Sequence, residues 1–296
     1  MNEDWVSIRD GALTAAINPL GAELSSLTDE AGREWMTDAD PAYWTGRAPL
    51  LFPIVGALNG GRYRLDGRDY AMAQHGFARK RRFALVERAA DLVRFELRDD
   101  AETRAIYPFA FLLEAAFRVK DGALHIECAV TNRDAATMPA SFGYHPAFAW
   151  PLPGEAGKAG HVVKFAADEP DALAALDGGL IAPAERASPL RDGRVLTLAD
   201  ALFDADALIW MTPRSRAVRY EGPGGTALHV GFPDARQLGI WTKPGAHFVC
   251  IEPWWGHADP VGFERDLREK PGILSFAPGE RRRFAMTIAP GLSQNG

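Results

Sequence analysis

Cysteine is scarce in this chain of 296 residues: only Cys128 and Cys250 occur, each inside an apolar segment. Two thiols so far apart suggest neither a disulfide framework nor a paired zinc motif, and read as reduced core residues. Basic charge is not in excess either. Thirty-three Lys and Arg against 39 Asp and Glu leave a formal net charge of −6 and a pI near 5.7. That balance argues against a nucleic-acid or anionic-membrane partner. No run approaches the ~18 apolar residues of a membrane-spanning helix. The opening MNEDWVSIRD has neither the basic nor the apolar region of a signal peptide, so a cytoplasmic location is expected. Absent too are a P-loop, a Rossmann glycine fingerprint and a GxSxG elbow, which removes sequence support for nucleotide cofactors and acyl-enzyme chemistry.

Helical periodicity is rare; alternation is common. Leu124, Ile126, Cys128 and Val130 share one face of 121–131, Val93, Phe95 and Leu97 one face of 91–98, and Phe284, Met286 and Ile288 one face of 283–289. Asp-Gly pairs at 10–11, 66–67, 121–122, 177–178 and 192–193 supply the positive φ values of tight strand reversals. The clearest helix expectation is short, around Asp168–Leu176. Pro/Gly-rich 151–160 reads as a surface loop, with strand patterning on both sides and no shift in charge. These features predict an all-β protein, a large antiparallel β-sandwich with few short helices, folded as one domain over 1–296.

Three segments carry chemistry. In QHGFAR (74–79), Gly76 lets a ligand or another backbone approach His75, and Arg79 offers a fixed cationic fork. In isolation His75 reads first as a histidine closing a turn after the strand RDYAMA. In FGYHPAF (142–148), Pro146 stiffens the chain and biases His145 toward extended backbone among aromatics, a setting for a proton donor or for a core histidine bonded to a carbonyl. In FVCIEPWW (248–255), Phe248, Cys250 and Glu252 face the same way on a strand that Pro253 interrupts. Desolvation there raises a carboxyl pKa and makes Glu252 a better proton acceptor, unless an arginine pairs with it. Trp254 beside it offers an aromatic wall. Asp204 and Asp206 sit in an apolar context and can bind hydroxyls. His247, His257 and Asp259 fit no metal signature, so no metal is expected. Two histidines and a glutamate in aromatic-lined segments suggest acid–base work on a sugar.

The chain resembles the aldose 1-epimerase (galactose mutarotase-like) family, nearest its LacX-like bacterial branch and the hexose-6-phosphate epimerases. The resemblance rests on APLLFPIVGAL (48–58), YRLDGRDYAMAQHGFAR (63–79), FGYHPAF (142–148), LFDADALIW (202–210) and LGIWTKPGAHFVCIEPWWGHAD (238–259), in the family's order. It implies a β-sandwich with an open, concave substrate face and an isomerase that needs no cofactor. By the resemblance, His145 protonates the ring oxygen, Glu252 takes the proton of the C1 hydroxyl, and His75 holds the substrate. Asp206, with Asp204 as rival, binds a hydroxyl, and Trp254 lines the site. Where galactose mutarotases carry His-Pro-Tyr-Phe-Asn, this chain has His145-Pro146-Ala147-Phe148-Ala149, so the resemblance does not extend to the choice of sugar. In hexose-6-phosphate epimerases an arginine after the histidine holds phosphate. Arg79, with Arg47 of WTGRAP, keeps a phosphorylated aldose as an alternative substrate. The expected partner is a small aldose, and the expected assembly a monomer or homodimer. The rival readings are a glycosidase using Glu252 and Asp206, and a carbohydrate-binding protein without activity.

Overall fold

The computed structural model describes residues 4–292. Its antiparallel ladders follow the alternation of the sequence. Strands Phe111–Lys120 and Ala123–Asn132 pair over their full length, and Leu92–Arg98 and Arg281–Leu292 flank them in a nine-stranded sheet. Leu124, Ile126, Cys128 and Val130 point inward and are buried, while His125 and Glu127 between them are exposed.

An eight-stranded sheet lies opposite. Its order runs from Leu180–Arg186 through Leu173–Asp177, Leu208–Trp210, Gln237–Trp241 and Phe248–Trp255 to Phe142–Tyr144 and Leu50–Leu51, with Ala147–Ala149 as an eighth strand also paired to Phe248–Trp255. The two sheets meet through large apolar side chains. Phe142 stacks on Phe284 at 4.6 Å between ring centres, Trp255 meets Phe284 at 4.9 Å, and the Tyr144 hydroxyl donates to the Phe284 carbonyl at 2.6 Å. One continuous core runs from Val6 to Ile288. Both cysteines are buried and free within the two sheets.

The Asp-Gly pairs act as turns. Four join consecutive antiparallel strands, at 10–11, 66–67, 121–122 and 177–178, and the fifth closes the Arg191–Val195 bridge. The glycine of each has a positive φ. The segment 151–160 is a largely exposed loop.

The helix expected at Asp168–Leu176 does not form. Residues 168–172 are irregular, and Leu173–Asp177 is a strand paired with Leu180–Arg186 and bridged to Ile209. Pro170 biases Glu169 away from helical backbone, and the Asp177-Gly178-Gly179 reversal brings a partner strand that offers ladder bonds instead. The α-helix among the described residues is Ala101–Ile106. Asp100 caps it: its carboxylate accepts from the Thr103 N–H, and the Thr103 hydroxyl accepts from the Asp100 N–H.

Candidate active site

The strand Phe248–Trp255 has two buried faces. Val249, Ile251 and Trp255 enter the main core between the sheets. Phe248, Cys250, Glu252 and Trp254 point the other way, onto the outer face of the eight-stranded sheet, where Phe248 and Cys250 pack with Trp44 and Trp241. A run buried on both faces reads as continuously apolar, which is why Glu252 interrupts it so visibly.

Register brings the second group in. Phe142 pairs with Trp255 and Gly143 with Trp254; farther on, Ala147 pairs with Cys250 and Phe148 with Val249. Carried through the gap, this register sets His145 directly across from Glu252. Pro146, lacking an N–H, opens the ladder there without breaking it: its carbonyl still accepts from the Ile251 N–H at 3.3 Å. His145 Nε2 lies 3.2 Å from Glu252 Oε2, and the residues are 7% and 2% exposed.

On the far side of Glu252 stands Gly239, its register partner on Gln237–Trp241. A Cβ at Gly239 would come within 2.6 Å of the Trp254 ring, and one at Gly143 within 2.7 Å. These two glycines let the Trp254 indole lie across neighbouring strands as part of the site's floor. Trp44 packs 4.9 Å from the His145 ring, with Trp241 edge-on at 6.0 Å.

His75 arrives from a loop. Gly76 forms a parallel bridge to Phe52, where an added Cβ would lie 2.2 Å from the Phe52 carbonyl oxygen, so only glycine fits. His75 itself has φ +66°, a conformation histidine adopts more readily than bulky or β-branched residues. Its ring stands edge-on to His145 at 5.5 Å. Arg79, on the turn Ala78–Lys80, donates to the Gln74 carbonyl at 2.9 Å.

His75, His145, Glu252, Arg79, Asp206 and Trp254 therefore line one cavity of about 300 Å³. Asp206 reaches it at φ +70°, its Oδ1 accepting from the Ala207 N–H at 2.7 Å. Asp204 ends the turn Asp200–Phe203 and does not line it. Arg47 departs from its expected place. Its guanidinium donates to the Thr37 and Asp38 carbonyls and lies over Trp5, because those acceptors and that ring lie beside its own loop. Sequence reasoning passed over Trp44, Gln74 and Trp241 in the lining. Both tryptophans lie within two residues of a singled-out motif or segment, and their aromaticity was the available signal.

Burial dominates the electrostatics. It lifts the Glu252 carboxyl well above the ordinary range, with Asp206 adding to the rise and the Trp254 indole opposing it. It pushes His145 down to about 3, with help from the Arg79 charge. It holds His75 well below an ordinary imidazole, with His145 and Arg79 adding. The His145–Glu252 pair thus rests in its neutral form, with the one proton carried by Glu252. Glu252 Oε2 and His145 Nδ1 have no hydrogen-bond partner.

Among the described residues one cluster has ligand-type atoms close enough for a metal: those of His145, Cys250 and Glu252 lie within 4.8 Å of one another. Burial and Glu252 raise the Cys250 thiol well above its ordinary value, and a protonated thiol is a poor ligand. His247, His257 and Asp259 do not gather. His247 lines a separate surface hollow, while Asp259 pairs with Lys270.

Comparison with known proteins adds the wider setting. The family model described as aldose 1-epimerase matches residues 4–258. Protein LacX, chromosomal, of Lactococcus lactis subsp. lactis is 31% identical over 295 residues, covering 96% of this chain and 99% of that protein. Among solved structures, a galactose mutarotase related enzyme from Lactobacillus acidophilus superposes with a TM-score of 0.90 at 28% identity, covering 98% of each chain. A galactose mutarotase-like protein from Lactobacillus casei ATCC 334 gives the same TM-score at 27% identity, over 97% of this chain and 100% of that one.

Proposed function

The chain belongs to the aldose 1-epimerase family, and we propose that it interconverts the α and β anomers of an aldohexose with its own side chains as acid and base. The observation that carries this reading is the His145–Glu252 contact of 3.2 Å on the wall of a monosaccharide-sized cavity. Opening a cyclic hemiacetal takes a proton off O1 and puts one on the ring oxygen, two atoms bonded to the same carbon. An acid and a base must then work side by side, as these two groups stand.

In the opening step, the Glu252 carboxylate takes the O1 proton and the His145 imidazolium gives its proton to the ring oxygen. The bond from C1 to the ring oxygen breaks as C1=O1 forms. Rotation about C1–C2 presents the other face of the aldehyde. Closure runs backwards: His145 takes the hydroxyl proton while Glu252 returns its own to O1. The neutral pair favoured by burial is the form that opening leaves and closure consumes. Entering the opening step requires the shared proton to move from Glu252 to His145 across their contact, and the hydroxyls of a bound sugar supply the polarity that helps it do so. Each positioned proton transfer is worth about 10²–10⁴-fold. His75 holds the substrate, Trp254 supplies an apolar floor, and Asp206 accepts from a hydroxyl at the rim. A glycosidase would need two carboxylates flanking the bond, whereas the close neighbour of Glu252 is an imidazole.

The test is an NMR or polarimetric anomerisation assay across common aldoses, with Glu252→Gln as control. Turnover should fall about 10²–10⁴-fold in the variant while sugar binding persists. Binding without turnover in the native chain would instead identify a carbohydrate-binding protein.

A second reading, a hexose-6-phosphate 1-epimerase, is favoured by Arg79 in the lining, with its Nε buried and unpartnered. Native and Arg79→Ala proteins should then differ on glucose 6-phosphate and agree on glucose. Equal behaviour on both sugars removes the phosphate reading.

A further inference from the structure

The turn that faces His75 rests on a buried ion pair outside the cavity. His75 and Gly56 exchange two hydrogen bonds: the His75 N–H donates to the Gly56 carbonyl at 2.9 Å, and the Gly56 N–H donates to His75 Nδ1 at 3.1 Å. A backbone N–H can only donate, so Nδ1 is the acceptor and carries no proton. Nε2–H is then the ring's single donor. An imidazolium would set two N–H groups against each other, so this contact also disfavours charge on His75.

Gly56 has little freedom of its own. At φ +76° it lies so close to Ala258 that an added Cβ would approach Ala258 to 2.6 Å. The next residues are bound to the same support. The Asp259 N–H donates to the Ala57 carbonyl at 2.9 Å, the Asn59 N–H to Asp259 Oδ2 at 2.9 Å, and the Asn59 side-chain amide to the Pro260 carbonyl at 2.8 Å. That support is pinned from behind. Lys270 Nζ donates to the His257 carbonyl and lies 3.5 Å from Asp259 Oδ1. Lys270 is 2% exposed and Asp259 3%.

Burying an ammonium and a carboxylate is costly, and an apolar pair of the same volume often serves stability as well or better. What an apolar pair lacks is direction. The carboxylate takes the Asn59 N–H and the ammonium holds the His257 carbonyl, so the pair clamps the two segments, 56–59 and 257–260, whose backbone bond from Asp259 to Ala57 sets where the Gly56 N–H points.

We propose that Asp259 and Lys270 are positioning residues that hold His75 as the uncharged Nε2–H tautomer, a fixed hydrogen-bond donor at the substrate cavity. Neither residue touches the cavity's acid–base pair; both act through Gly56. The rate arm of the test rests on the mutarotase reading, and the tautomer arm does not depend on it.

The experiment uses the full chain with 15N-labelled histidine and the variants Asp259→Asn and Lys270→Met. In the native protein at pH 7, His75 should show a protonated Nε2, an unprotonated Nδ1 and a coupling between Nδ1 and the Gly56 amide nitrogen. In either variant the His75 nitrogens should move toward tautomer averaging. The anomerisation kcat should fall about tenfold to a hundredfold, as displacement of a positioned group does, while KM changes less than threefold. The double variant should resemble either single one. Asp259→Asn keeps an oxygen for the Asn59 N–H, so it preserves local packing where Lys270→Met fails to fold. A native His75 protonated on Nδ1, or cationic at pH 7, overturns the proposal whatever the variants do. So does a variant that loses thermal stability with its His75 nitrogen shifts unmoved. Altered tautomer signals with no anomerisation in any protein would support the positioning and sink the mutarotase reading alone.

Discussion

Glu252 and Asp259 are carboxylates seven residues apart, equally hidden from water, with opposite surroundings. Asp259 has a backbone N–H on Oδ2 and an ammonium 3.5 Å from Oδ1, although Oδ1 itself has no hydrogen-bond partner. Glu252 faces a neutral imidazole, and its Oε2 has no hydrogen-bond partner. A buried carboxylate beside an ammonium holds backbone as half of an ion pair. One beside a neutral imidazole has a neighbour with which it can exchange a proton. The contrast separates scaffold from chemistry within one stretch of chain, and it suggests experiments that push the two sites in opposite directions.

The largest effect should come from the imidazole. His145→Gln keeps a polar group in place but cannot carry a proton, and should lower anomerisation kcat about 10²–10⁴-fold. A loss below tenfold would show that Glu252 works without its neighbour. Stability gives the next contrast. Asp259→Asn strands a buried ammonium and should cost about 3–5 kcal/mol in a urea or thermal titration. Glu252→Gln removes a carboxyl that burial penalises and should stabilise by about 1 kcal/mol while turnover falls. Two shifts of the same sign would dissolve the distinction.

The pH dependence is the subtlest. His145 holds off its proton until about pH 3 and Glu252 keeps its own well above 4.5, so the one-proton pair persists between. Turnover should show no step near 6.5 from the His145 imidazole, whose proton comes on only at about pH 3. For stability, the unfolded imidazole takes up a proton below about 6.5, which the folded one refuses until about 3. The stabilising effect of a neutral His145 is therefore complete above pH 6.5 and is lost as pH falls toward 3. A rate step near 6.5 would place His145 in a wetter setting than its burial indicates.

Much of the nine-stranded sheet could be read in advance. One of its faces packs on the core and the other is largely solvated, so Leu124, Ile126 and Cys128 alternate with exposed His125 and Glu127, and the Asp-Gly reversals mark strand ends. The eight-stranded sheet was harder. Phe248–Trp255 is buried on both sides, and Leu173–Asp177 carries a helix-like composition that its hairpin partner overrides. His75, His145 and Glu252 stood out because polar groups in aromatic or apolar settings violate the local pattern. Trp44 and Trp241 did not, since aromatics in such a setting look like ordinary core. Arg47 was misplaced because an arginine beside a motif shows its charge but not its direction.

The amino-acid sequence alone determined the class of fold and singled out His75, His145 and Glu252 as candidates, since alternation, turn residues and misfit side chains are local properties. Tertiary structure decided which of them meet. The ladder register that faces His145 with Glu252, the two glycines that let Trp254 lie flat, and the Asp259–Lys270 support under Gly56 all join residues distant along the chain. Such contacts depend on how strands pair and pack, and a side chain's proton affinity follows from the water those contacts remove.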